Sequence, residues 1–196
     1  MLTRRSFFAV PLLLITTPVQ ARTWTEALVE AAEAQIGRTL IYDPAYVRIG
    51  YPLGDVPIER GVCTDVVIRA YREGLDFDLQ KAVHEDMAKN FSAYPKQWGL
   101  TRTDSNIDHR RVPNLQTFFK RRNAALAMSE TAADYRPGDL VTMMLPGNLP
   151  HIGIVSASLN DDGSRPLLIH NIGGGTHRED VLFQYPVTGR YRFNPG

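Results

Sequence analysis

One cysteine and two histidines are the residues of this chain whose types and order could perform nucleophilic catalysis. Cys63, the only cysteine, follows Gly61 at the start of an amphipathic segment that predicts a helix. A thiol at that position would lie beside unpaired backbone N–H groups and the positive end of the helix dipole, which favour the thiolate. His151 and His170 lie far downstream, in short apolar runs typical of strands. This order predicts a cysteine nucleophile activated by a histidine base.

Each of these residues also has a purely structural interpretation. Cysteine is among the residue types most often buried in protein cores, and a histidine in a strand can simply donate a hydrogen bond to a nearby carbonyl. Asn171 is an alternative to His170, because an amide can also orient a catalytic imidazole. Side chains alternate along a strand, so only one of His170 and Asn171 shares the face of Leu168. Only one of the two can therefore orient His151.

The N-terminal residues predict export. Arg4 and Arg5 precede an apolar segment from Phe7 to Thr17, and small residues follow up to Ala21. This pattern is typical of a cleaved signal peptide over residues 1–21, and the apolar segment is too short to span a bilayer. The paired arginines followed by Ser-Phe-Phe are also compatible with the twin-arginine route. We expect a periplasmic or secreted protein without a membrane span.

Length and charge narrow the class of protein further. A mature chain over residues 22–196 has about 175 residues, which suits one domain with a single core. The 22 basic residues include Arg4 and Arg5, and there are 21 acidic ones, so the mature chain carries about one excess negative charge. We expect no nucleic-acid partner and no binding to an anionic membrane surface. A lone cysteine cannot form an internal disulfide, and we expect a monomer.

The remaining patterns predict helices first and strands second. Thr23 and Glu26 predict a capping box for a first helix that extends to Ile36, and a cysteine helix is predicted over residues 63–73. Asp78 caps a third helix, whose apolar face includes Phe91 and which ends before Pro95, and Pro113 lies in the first turn of a fourth. Apolar runs separated by Gly and Pro predict strands over residues 140–145, 151–157, 167–171, 181–183 and 190–193. The result is an α+β domain with N-terminal helices packed on a small antiparallel sheet or half-barrel.

Three segments resemble those of a known family. Pro137–Val141 (PGDLV), His151–Val155 (HIGIV) and Leu168–His170 (LIH) are similar to the second half of the NlpC-like cell-wall cysteine peptidases, which belong to the papain-like superfamily. More narrowly, Gly61–Arg72 and Asn106–Leu115 resemble a bacterial exported group known as domain of unknown function 1287. The narrower resemblance covers most of the mature chain.

The NlpC-like resemblance implies a fold and a set of roles. The fold would be papain-like, with Cys63 as nucleophile, His151 as base and His170 as the residue that orients His151. Tyr51 would donate to the oxyanion, because NlpC-like enzymes carry a tyrosine about this far upstream of the cysteine. A Tyr-Pro turn packed on the core is the alternative role for Tyr51.

Other charged residues near these segments have open roles. Arg110 and Arg111 could bind a substrate carboxylate through a bidentate contact, or could form a solvated run of charge. Asp65, in the first turn of the cysteine helix, disfavours a neighbouring thiolate, so we expect it to face away and act as a cap. His177 and Glu179 could line the rim of the cleft.

No metal site or cofactor is predicted. A group of titratable residues recurs through the middle of the chain, but its spacing matches no recognised zinc pattern; it comprises His84, Glu85, Asp86, Asp104, Asp108 and His109. His84 to Asp86 are expected on the solvent face of the third helix.

Together these observations predict an exported cysteine hydrolase that cleaves an amide bond in peptidoglycan, as a stem-peptide endopeptidase or an amidase acting on muropeptides. An acyltransferase on the same fold and a non-catalytic wall-binding module are the alternatives. Specificity would depend on loops, so the bond cleaved is left open.

Overall fold

The computed structural model describes residues 21–196 of the chain. The predicted signal peptide therefore lies outside the described residues, apart from its last residue, Ala21. Within residues 21–196, no helix is both long enough and apolar enough to cross a membrane.

The described chain begins with helices and short strands and ends with longer strands. In chain order the first elements are α1 (Trp24–Glu33), β1 (Ile41–Tyr42), β2 (Arg60–Gly61), α2 (Cys63–Leu75), α3 (Leu79–Lys89) and α4 (Val112–Arg121). Then follow β3 (Leu140–Leu145), β4 (Leu149–Leu159), β5 (Pro166–Asn171), β6 (Thr176–Glu179) and β7 (Val187–Tyr191). The predicted α+β class is confirmed.

The predicted helix starts follow from local chemistry. Thr23 and Glu26 form the capping box of α1, with the Thr23 N–H donating to the Glu26 carboxylate at 2.7 Å. Asp78 caps α3 by accepting from the Lys81 N–H at 3.1 Å. Pro113 lies in the first turn of α4, where its missing N–H costs nothing.

Three predicted helix ends are wrong by a few residues. α1 ends at Glu33, and Ile36 is exposed in the following turn instead of packing on the core. Gly74 lies inside α2 rather than ending it. Glycine is needed there for close packing, since a Cβ would come 2.6 Å from the Ala27 carbonyl oxygen of α1. Asp76, with φ at 51°, terminates α2 in the left-handed conformation. Likewise, α3 ends before Phe91.

Strands β3 to β7 form one sheet in the order β6-β5-β4-β3-β7, and every neighbouring pair is antiparallel. One predicted strand is wrong: residues 181–183 form a turn, and the neighbouring polar segment Thr176–Glu179 pairs with β5 instead. Val181 and Leu182 are apolar because they cover one face of the sheet. β6 is polar because it is an edge strand, whose outer side faces solvent.

The two faces of the sheet pack against different parts of the chain. The helices cover the face that carries Ile152 and Ile154 of β4 and Ile169 of β5, and Cys63 belongs to this core. The opposite face carries Val155 and Leu168, and the 181–182 turn packs there. The helices therefore lie on one side of the sheet, as predicted.

Candidate active site

Cys63 is the first residue of α2, as the sequence predicts, and its position is fixed by the residues around it. The carboxylate of Asp65 accepts the Val62 N–H at 2.7 Å, which caps the helix from its own first turn. The Asn171 side chain, from the end of β5, donates to the Gly61 carbonyl at 3.0 Å. These contacts attach the segment before the cysteine to both the helix and the sheet.

His151 of β4 and His170 of β5 form a buried pair. Their rings meet edge to face, with His151 Nε2 at 2.9 Å from His170 Nδ1. The pairing of Ile154 with Ile169 places His170 across from Gly153, where a Cβ would lie 3.2 Å from the His170 Cβ. Asn171 points to the other face, towards Gly61. The structure thus brings His170, and not Asn171, to His151.

Glu179 extends this pair. Its Oε2 lies 3.1 Å from His170 Nε2, although the angle is not that of a good hydrogen bond. A carboxylate at this position favours a proton on His170 Nε2, which leaves His170 Nδ1 to accept the N–H of His151 Nε2. His151 Nδ1 then carries the lone pair that a base needs. This role of Glu179 was not predicted from the sequence, because the strand that carries it was not predicted either.

The thiol of Cys63 is buried, and its pKa lies well above that of a free cysteine. Burial raises the pKa of Cys63 to about 12, and the charge on Asp65 raises it further. The backbone N–H groups of Ile152, Thr64 and Cys63 itself act in the opposite direction. The helix N-terminus was expected to favour a thiolate, and that expectation is wrong for this arrangement because desolvation is the larger effect.

The part of β4 that carries His151 lies next to the thiol. The N–H that faces the thiol belongs to Ile152, the residue after His151, and Pro150 on the other side of His151 lines the same cleft as Cys63. Among the hydrogen bonds of residues 21–196, none joins the thiol to a histidine. Burial lowers the pKa of His151 to about 3, and the charge on His170 adds to this. Both partners are therefore neutral at pH 7.

A cleft of about 180 Å³ opens beside the thiol. Besides Cys63 and Pro150, it is lined by Tyr42, Val62, Trp98, Ile107, Arg110 and Arg111, among others. A larger cavity of about 700 Å³ lies between Met128 and Val187 and contains none of the predicted site residues.

Tyr51 is not the tyrosine of this cleft. It packs edge to face on His84 of α3, with ring centroids 5.1 Å apart. Tyr42 lies beside the thiol instead, because the parallel pair of β1 and β2 places it opposite Gly61, two residues before Cys63. Burial raises the pKa of Tyr42, and the charge of an ionised Cys63 would raise it further. The resemblance to the NlpC-like enzymes predicted Tyr51 near the thiol, whereas the structure places Tyr42 there and Tyr51 on His84.

Arg110 is committed to the protein itself rather than to a substrate. Its Nε and Nη2 each lie 2.9 Å from the carboxylate of Asp65, and its other contacts are the carbonyls of Asp43 and Ala45. Both charged side chains are almost completely buried. Asp65 thus acts as a cap and a loop tie, as expected, and Arg110 is its partner. A substrate-binding role for Arg110 is therefore a wrong prediction.

Arg111 differs from its neighbour. Its guanidinium carbon lies 4.2 Å from the ring centroid of Trp98, and its Nη1 is buried without a hydrogen-bond partner among residues 21–196. Burial lowers the pKa of Arg111, and the charges of Asp108 and Asp104 partly oppose this. Arg111 is thus the available arginine of the cleft.

Several of the titratable residues in the middle of the chain, which were considered above as possible metal ligands, contact other side chains of the protein. His84 is partly buried, not on the solvent face, and its Nδ1 lies 2.9 Å from Asp108 Oδ2. Asp86 accepts from Tyr94 and from Arg121. Residues 21–196 contain no group of three or more His, Cys, Asp or Glu side chains arranged to hold a metal ion.

The comparison with known families places the chain in a class. Residues 29–193 match the family described as Domain of unknown function (DUF1287), and the chain belongs to this family. It is also 56% identical over 175 residues to the Uncharacterized protein YijF of Escherichia coli (strain K12). That match covers 89% of this chain and 84% of the relative. The narrower resemblance seen in the sequence is thereby confirmed.

Proposed function

We propose that this protein is an exported cysteine hydrolase with an NlpC-like, papain-like fold that cleaves an amide bond in peptidoglycan stem peptides. The observation that supports this most is the His151–His170 pair. The pair uses Nε2 of His151 and leaves its Nδ1 to act as a base. His151 directly precedes Ile152, whose backbone N–H faces the Cys63 thiol. A base oriented by a second residue and adjacent to a thiol is the arrangement that thiol-based acyl transfer requires.

The first step joins the substrate to the protein. His151 Nδ1 takes the thiol proton while sulfur attacks the amide carbonyl, so the C–S bond forms as the carbonyl oxygen becomes an oxyanion. Because both groups are neutral at rest, this proton moves during the attack rather than before it. The backbone N–H of Cys63, which has no intrahelical acceptor, and the Tyr42 hydroxyl would donate to the oxyanion.

The second step releases the product. Protonated His151 gives its proton to the leaving nitrogen, the C–N bond breaks, and an acyl-enzyme and an amine result. Water then attacks the thioester with His151 again as base, which releases a carboxylic acid and restores the thiol. His170 and Glu179 would stabilise the imidazolium and hold its orientation throughout.

The substrate class rests on the predicted export signal and on the resemblance to cell-wall peptidases. Peptidoglycan is the abundant amide polymer outside the bacterial inner membrane, and no cofactor is needed for its hydrolysis by a thiol. A non-catalytic wall-binding module is the second candidate, favoured by the burial of Cys63 and the high pKa of its thiol. An acyltransferase would use the same first step with a different acceptor.

One experiment separates these functions. Purified mature protein is incubated with a muropeptide mixture, and the products are analysed by mass spectrometry beside a Cys63→Ala control. New termini that are absent from the control support hydrolysis, whereas an added acyl mass indicates transfer. Retention of muropeptides by both proteins without any product would identify a binding module and contradict the proposal. His151→Ala should be as inactive as Cys63→Ala, because no base then takes the thiol proton.

A further inference from the structure

Of the two arginines that line the cleft beside Cys63 in the described part of the chain, Arg110 is paired with Asp65 and Arg111 has no ion-pair partner. No carboxylate among residues 21–196 lies within ion-pair distance of the Arg111 guanidinium. Its Nη1 is buried, and no described residue accepts a hydrogen bond from it. A buried guanidinium N–H without an acceptor costs free energy, so the residue is expected to have an acceptor in its working state.

Two neighbouring residues define what this acceptor can be. The guanidinium carbon of Arg111 lies over the Trp98 ring, 4.2 Å from its centroid, and this cation–π contact helps to hold the group in place. Arg110 lines the same cleft but has no pair of donors to offer the ligand, since Asp65 and two carbonyls occupy four of its five N–H groups. A single arginine held by stacking presents one edge with two parallel donors, which suits a carboxylate.

Asp108 and Asp104 are the acidic side chains whose charge acts on Arg111, and each has other contacts. Asp104 accepts from Asn106 and Tyr46. Asp108 Oδ2 accepts from the Asp104 N–H at 2.8 Å and lies beside His84, while its Oδ1 has no partner among residues 21–196. Their charge lies close enough to affect the pKa of Arg111 but does not form an ion pair with it. In this arrangement residues 21–196 therefore supply no acceptor to the Arg111 Nη1, and a bound ligand would supply one.

We infer that Arg111, supported by Trp98, binds a free carboxylate on the residue next to the scissile amide, so that the substrates are acidic peptides. The position relative to the scissile bond follows because Arg111 and Cys63 line the same cleft of only about 180 Å³. The position next to a scissile bond rests on the proposed function, because it assumes that Cys63 attacks the substrate. Recognition of the carboxylate itself does not depend on turnover.

Binding to an inactive variant tests the inference separately from hydrolysis. The Cys63→Ala protein is titrated calorimetrically with a stem tripeptide whose carboxylates are all free, and with versions in which each carboxylate is singly amidated. One amidation should weaken binding about 10- to 100-fold, the effect of losing one charge-assisted contact. In a Cys63→Ala, Arg111→Met protein the free and amidated peptides should bind equally weakly.

Two further variants guard against loss of folding. Arg111→Lys keeps the charge but not the paired donors, and should fall between wild type and Arg111→Met. Arg122→Met removes another arginine that stacks on an aromatic ring, Phe118, outside the cleft, and should leave binding unchanged. All variants are compared by thermal unfolding before titration.

Three results would overturn the inference. The first is a preference for the free carboxylate that persists in Arg111→Met, the second is equal binding of every amidated version by the Arg111 protein, and the third is no binding of the free tripeptide. If carboxylate-dependent binding is present but the wild-type protein produces no cleavage, the proposed hydrolase function fails while the subsite remains.

Discussion

Replacing Asp65 by asparagine should remove about 3 to 5 kcal/mol from the free energy of unfolding, because the Arg110 guanidinium would then be buried without a counter-charge. The side chains of Arg110 and Asp65 are only 3% and 4% exposed, and two charged hydrogen bonds of 2.9 Å join them. The asparagine oxygen can still accept the Val62 N–H, so the helix cap is kept and the change isolates the charge. A domain of this size is stable by about 5 to 15 kcal/mol, so the loss would be large.

The double variant Asp65→Asn, Arg110→Met separates charge burial from other effects. It should lose less stability than the two single changes added together, because Arg110→Met removes the charge that Asp65→Asn leaves without a partner. It should remain less stable than wild type, since the carbonyls of Asp43 and Ala45 lose their donor.

Urea unfolding of the mature chain, followed by circular dichroism, measures these differences. The matched control is Arg165→Met, which breaks the exposed ion pair with Asp180 and should cost no more than about 1 kcal/mol. A loss below 1 kcal/mol for Asp65→Asn, or strict additivity in the double variant, would contradict a buried and mutually dependent pair.

Three further predictions concern the reactive residues. The rate of alkylation of Cys63 by iodoacetamide should rise about tenfold per pH unit from pH 7 to 10, because burial keeps the pKa of the thiol at about 12. A rate that reaches a plateau below pH 8.5 would contradict this. Tyr42→Phe should lower kcat on a muropeptide about 100-fold or more with little change in KM, while Tyr51→Phe should have no effect; equal effects would exclude the oxyanion role. Glu179→Leu should lower kcat/KM about 10-fold or more, whereas Glu179→Gln should show only part of this loss because an amide oxygen can still accept from His170. Full activity of Glu179→Leu would exclude a positioning role.

Features that depend on local chemistry could be predicted from the sequence. The capping box at Thr23, the Asp78 cap and the proline in the first turn of α4 are contained within a few residues each, and all three are present. The alternation of β5 is also local, and it correctly separates His170 from Asn171. These features require no knowledge of what lies across the fold.

Features that depend on long-range packing could not be predicted in this way. Asp65 and Arg110 are 45 residues apart, so no spacing rule connects them. Tyr42 lies beside the thiol because β1 pairs with β2, although residues 43–59 separate the two strands along the chain. Each strand contributes only two residues to this pairing. The polar strand β6 has no apolar alternation, whereas the apolar 181–183 segment covers a face of the sheet as a turn.

The electrostatics of the site also follow from packing rather than from the motif. A thiol at a helix N-terminus is expected to ionise easily, but here the buried carboxylate of Asp65 lies in the same first turn and the thiol is itself desolvated. Arg110 pairs with Asp65, and the pair ties the loop at Asp43 and Ala45 to the start of α2. The charge that holds the cysteine segment in place therefore also works against the thiolate. A substrate that enters the cleft with its own carboxylate would pair with Arg111, leaving the thiol proton to move to His151 only as the C–S bond forms.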